Sequence, residues 1–197
     1  MPNFADIMKV SFIEDAPSAI RFKVSGINST LANSLRRIMS GTVGCFAIDK
    51  VVMYENSSAM FDEYIAHRIG LIPIITPKDA KEDEQILFNL EAEGPKIVYS
   101  KELLSTDKSV KVANEEIPII ELGEGQRLRL EGQARMGAGS ESAKFRPALV
   151  TYTADENEED YEFYVESYGQ MPAKEILNRA LYIINDALKQ AQKSVKK

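Results

Sequence analysis

The feature that most constrains this chain is its last predicted helix, Pro172 to about Val195, because its apolar side chains exceed what one core requires. Ile176, Ala180, Ile183, Ala187 and Ala191 form one stripe, and Leu177, Leu181, Ile184 and Leu188 form a second beside it. Together the stripes cover roughly 160° of the helix, against the ~100° that suits a helix lying on a single core. At 1.5 Å per residue the helix is roughly 36 Å long, and its proline sits well in a first turn. Two buried faces are therefore expected. One lies against the chain's own sheet; the other is sunk deeper in the same domain or covered by another chain.

The start of the chain reads as a β-hairpin. Met8, Val10 and Phe12 alternate with polar residues, Glu14 to Ser18 supplies turn chemistry, and Ile20, Phe22 and Val24 alternate again. A helix is expected from about Ser29 to Ser40, capped by Asn28 or Ser29 and ended by a left-handed Gly41. Its Leu31, Ala32, Leu35, Ile38 and Met39 share an arc of roughly 120°. Arg36 lies at the edge of that arc and Arg37 points away from it, so the two arginines serve different purposes.

The middle is mostly β. Strands are predicted over Phe46–Tyr54, Ile86–Ala92, Lys96–Ser100, Gln126–Ala134 and Ala148–Thr153. A short helix over Phe61–Ile69 interrupts them, with acids early, Arg68 late and Gly70 just beyond. Lys78–Gln85 reads as a charged loop. Asp155 to Asp160 holds five acids in six residues and reads as a solvated loop. A further strand then places Tyr161, Phe163 and Val165 on one face.

Catalytic and metal chemistry has little to work with. Cys45 is the only cysteine and His67 the only histidine, which removes disulfides, multi-thiolate metal sites and most nucleophile–histidine arrangements. Asp62, Glu63 and His67 can share a helix face, but a metal there lacks further nitrogen or sulfur ligands. Gly137-Ala138-Gly139 follows a strand, yet an acid rather than a helix start comes next, so a tight turn is expected and not a phosphate cradle.

Charge points the same way. With 24 basic and 30 acidic residues the net charge is −6. Nucleic-acid binders draw most of their affinity from basic patches that neutralise phosphates. Arg127, Arg129, Arg135, Lys144 and Arg146 are the candidates for such a patch, but they stand among more numerous acids, and sequence-specific nucleic-acid binding is not expected. No run approaches the ~18 apolar residues of a membrane span, and no leader pattern opens the chain. A cytoplasmic protein is the expectation.

Several blocks carry a family resemblance. Asn33-Ser34-Leu35-Arg36-Arg37-Ile38-Met39-Ser40 resembles the N-A-L-R-R-I-L-L-S segment of the α-like RNA polymerase subunits. Residues Phe61 to Ile74 resemble the D-E-x-x-A-H-R-x-G-L-I-P signature of that family's archaeal and eukaryotic branch. Gly94–Ser100, Leu130–Gly139, Ala143–Pro147 and Phe163–Gly169 extend the match in the same order over nearly the whole chain.

The resemblance implies an α+β fold with a discontinuous dimerisation domain, 1–45 plus 161–197, and an inserted, mostly β domain, 46–160. It implies a structural subunit without catalysis of its own, in an enzyme that is a nucleotidyltransferase. Its partners would be the small α-like subunit (L in archaea), the second-largest catalytic subunit, and small zinc-bearing subunits packed nearby. The partner-binding residues it suggests are Leu31, Leu35, Arg36, Arg37 and Ile38 on the first helix. On the last helix they are Ile176, Ala180, Ile183, Ile184, Ala187 and Leu188. In this family the second arginine of the motif contacts the large subunit; here that position is Arg37. Many archaeal relatives carry an iron–sulfur domain where this sequence has only residues 154–160, and eukaryotic relatives carry a cysteine-bound zinc. Lacking those cysteines, this chain is expected to hold no cofactor and no metal. A DNA-binding domain after the last helix, as in the bacterial α subunit, is likewise not expected.

Overall fold

The computed structural model describes residues 9–81, 83–155 and 160–195. Ten strands and three helices are seen among them. In chain order they begin β1 (Lys9–Asp15), β2 (Ala19–Ser25), α1 (Ser29–Gly41), β3 (Gly44–Asn56) and α2 (Asp62–Gly70). The series continues with β4 (Gln85–Glu93), β5 (Lys96–Tyr99), β6 (Leu104–Ser105), β7 (Pro118–Leu122) and β8 (Arg127–Ala138). It closes with β9 (Ala148–Ala154), β10 (Asp160–Ser167) and α3 (Ala173–Val195). The fold class is α+β.

Two compact units result, Met1–Val43 with Arg146–Lys197, and Gly44–Phe145. The first therefore joins the two ends of the chain. Its sheet has the order β1-β2-β10-β9, antiparallel throughout. Alternation decides its two faces: Phe22, Val24, Tyr161, Phe163 and Val165 are buried, Lys23, Glu162 and Tyr164 between them are half-buried, and the flanking Arg21 and Glu166 are exposed. Phe22 and Phe163 are register partners, and their rings stack 5.1 Å apart at 5°. The covering layer is helical, with α1 on β9 and α3 on β2 and β10, and the helices touch each other.

The chain returns to this unit earlier than expected. β9 is placed by the resemblance in an inserted domain running to residue 160. It instead pairs with β10 from Ala148↔Ser167 to Ala154↔Tyr161, and the inserted unit ends at Phe145. A hairpin between sequence neighbours costs little loop-closure entropy, and this pairing buries Val150 beside Val165. Of the acidic run, residues 156–159 lie outside the described residues, as does Met8 of the first hairpin.

The second unit holds the sheet β3-β8-β4-β6 and the two-stranded sheet β5-β7. Along β4 the pattern is strict, with Ile86, Phe88, Leu90 and Ala92 inward. Helix α2 adds Ile65 and Ile69 to the same core, and Val98, Ile119, Ile120 and Leu122 come from β5 and β7. β6 and β7 were not anticipated. β7 begins at Pro118, and its five residues give too short a period to stand out.

Helix ends differ from expectation at two glycines, and Gly70, expected just beyond α2, is its last residue. Gly41 was expected to be left-handed, but α1 runs through it, and the amides of Thr42 (2.9 Å) and Val43 (3.1 Å) both bond to the Ile38 carbonyl. Left-handed glycines occur instead at Gly26, Gly125 and Gly169, where turns require positive φ.

Candidate functional site

Helix α1 starts as its sequence dictates. The Asn28 side-chain oxygen accepts from the Leu31 amide at 2.9 Å, satisfying one of the free amides of the first turn. Ala32, Leu35 and Met39 then face the core. Leu31 remains 40% exposed and Ile38 is half-buried, so the ends of the apolar arc lie open. Arg36, also half-buried, folds back on Asn33, whose side-chain oxygen accepts from its Nε (3.2 Å) and Nη2 (2.9 Å). Arg37 is exposed, and its guanidinium makes no hydrogen bond or ion pair with a described residue. The two arginines thus differ in their surroundings, one held to its own helix and the other open.

Helix α3 resolves its two apolar stripes along its length. Ala173, Ile176, Leu177 and Ala180, in the first half, are buried. Beyond Ala180 no described residue of α3 is buried: Ile183 and Ile184 are half-buried, Ala187 is exposed, and Leu181 and Leu188 are 46% and 60% exposed. The first half of α3 belongs to its own unit, and the second half leaves an apolar surface uncovered. Three of the residues expected to meet a partner, Leu35, Ile176 and Ala180, are buried within the chain itself. Each is already sealed in the unit's own core, because helix phase alone cannot say how far a helix overhangs its sheet.

The alternative chemistry does not assemble among the described residues. Asp62 accepts from the Asn56 side-chain amide at 2.7 Å, and no group of three or more His, Cys, Asp or Glu placed to hold a metal occurs among the described residues. The glycine turn after β8 is no phosphate cradle, because the Glu141 carboxylate already accepts from the Ala138 amide at 3.0 Å. Four of the five basic candidates are occupied too, whereas Arg146 is exposed. Arg127 pairs with Glu93 at 3.3 Å, Arg129 lies over the Tyr54 ring at 5.6 Å, and Arg135 and Lys144 share Asp49 at 2.8 and 2.6 Å. Hydrogen bonds from Arg135, then from Lys144, hold the Asp49 carboxyl below the usual aspartate range. Contact with the Ala138 amide, then with Arg135, does the same for Glu141. Sequence reasoning missed this ion network. Asp49 and Arg135 are 86 residues apart, and only the β3–β8 register brings them together.

The fold is thus that of a two-unit α+β protein whose last helix carries an uncovered apolar half. Comparison with known proteins makes that specific. Residues 48–151 match the RNA polymerase Rpb3/RpoA insert domain. The chain is 45% identical over 152 residues to the DNA-directed RNA polymerase subunit Rpo3 of Pyrococcus furiosus, covering 74% of this chain and 58% of that protein. Identity to the subunit Rpo3 of Thermococcus kodakarensis is 46% over 153 residues, covering 74% and 59%. For the subunit Rpo3 of Methanocaldococcus jannaschii it is 46% over 157 residues, covering 80% of each. The chain belongs to the Rpb3/RpoA family of α-like RNA polymerase subunits, and the matches span just under three fifths of the first two relatives' lengths.

Proposed function

We propose that the chain is a non-catalytic assembly subunit of a cytoplasmic DNA-directed RNA polymerase. It pairs with the small α-like subunit through α1 and α3, and the pair then docks the second-largest catalytic subunit, with the small zinc-bearing subunits beside it. The observation that carries this reading is α3 itself. Its first half is buried in the chain's own core, whereas Leu181 and Leu188 stand open on the second half. Burying such side chains gives about 1.5–3 kcal/mol each, so a helical partner covering them is strongly favoured.

Arg37 supplies direction rather than bulk. A guanidinium presents five donors in a fixed fork, which suits a carboxylate or paired carbonyls on the second-largest subunit. Co-expression tests the reading. With the small α-like subunit the chain elutes as a stable 1:1 pair, and alone it self-associates. A monomer that ignores that subunit overturns the proposal.

A further inference from the structure

The second unit carries an apolar groove of about 500 Å³ that the assembly reading leaves unexplained. Its walls are Met60, Phe61 and Tyr64 at the start of α2, and Ile120 and Glu121 on β7. Phe61 and Tyr64 are 71% and 65% exposed, with their ring centroids 6.4 Å apart. A volume of this size accepts one or two large side chains, and tilted aromatic walls suit an aliphatic or aromatic anchor.

Charge selects the occupant. Among the described residues Glu121 is the one charged residue lining the groove, and its carboxylate makes no hydrogen bond or ion pair with any of them. The first turn of α2 adds Asp62 and Glu63. The arginine of α2, Arg68, is turned onto the Pro118 carbonyl at 2.6 Å. An apolar floor with an unanswered acid at its rim fits a large apolar side chain followed closely by Lys or Arg.

We propose that this groove docks a basic segment of another polymerase subunit, which packs one large apolar side chain against the exposed faces of Phe61 and Tyr64 and sets a cation against Glu121. The inference rests on the assembly reading. The small lining makes it one contact within a larger assembly rather than a free-standing interface.

The test replaces the exposed Phe61 with the photo-crosslinker p-benzoylphenylalanine in the full chain, assembled with the other polymerase subunits of its source. The expected result is cross-linking to one segment of another subunit with Lys or Arg within three residues of a large apolar side chain. Adding Glu121→Lys, checked for an unchanged melting temperature, lowers the yield at least fivefold. An assembled polymerase without that cross-link overturns the docking site and leaves the assembly reading standing. Cross-linking to a segment without a basic residue, or to a second copy of this chain, overturns it as well, as does an undiminished yield with Glu121→Lys. Failure of the wild-type chain to enter the polymerase overturns the assembly reading and the docking site together.

Discussion

Phe145 lies against the backbone of Gly137, so closely that a Cβ at residue 137 would stand 2.8 Å from three carbons of the ring. Arg135 sits over the same ring, its guanidinium carbon 4.7 Å from the centroid, and the Cys45 thiol donates to the Phe145 carbonyl at 3.2 Å. The last residue of the inserted unit is thus held by its first strand and by the end of β8. Gly137→Ala is expected to destabilise the protein by about 1–3 kcal/mol, because a packed ring and a strand backbone have no room to part. Chemical denaturation reads the change as a lowered midpoint with an unchanged slope. Gly123→Ala, whose added Cβ would meet nothing closer than 3.4 Å, serves as the control.

The network around Asp49 predicts a particular acid sensitivity. Its folded pKa is depressed, first by the Arg135 hydrogen bond and then by that of Lys144. The stabilisation is therefore fully present above the unfolded value of about 3.9 and is lost as pH falls through the lower folded value. Asp49→Asn should cost on the order of 1 kcal/mol at neutral pH. It should also flatten the stability profile below about pH 4, relative to the parent chain. Melting curves across that range, with an equal slope for both proteins, would remove Asp49 from the account.

Two substitutions on α3 should separate folding from association. Ile176→Ala opens a cavity in the unit's own core and should cost about 2–5 kcal/mol of stability. Leu188→Asp lies on the overhang and should leave the melting temperature of the isolated chain within a few degrees. It should abolish pairing with the small α-like subunit, because the pair would have to bury an unpaired carboxylate at several kcal/mol. Size-exclusion profiles of the co-expressed proteins measure the second effect directly.

Arg37→Ala should behave differently from both. With no bond to a described residue, the side chain contributes little to folding, and the pair with the small subunit should persist. Capture of the second-largest subunit should weaken at least tenfold, with Arg37→Lys restoring only part of it, since an ammonium lacks the planar fork. Pull-down at full strength from the alanine variant would take Arg37 out of the interface. Arg36→Ala should instead cost a few tenths of a kcal/mol by releasing Asn33.

Much of this protein was legible along the chain, because period and capping are local properties. The alternation of β2, β4 and β10, the arc of α1 and the double stripe of α3 follow from hydrogen-bond geometry between residues a few positions apart. So does the opposition of Arg36 and Arg37 on α1. The motif blocks named the family before any strand was paired. What the tertiary structure alone decided were relations across long separations. Strand β9 joins β10 rather than the inserted sheet, and Asp49 meets Arg135 only through the β3–β8 register. Likewise Leu35, Ile176 and Ala180 are sealed inside, while Leu181 and Leu188 are not. A helix's sequence records how wide its apolar surface is. Where the sheet beneath it stops is set by other strands, and that boundary divides core from interface.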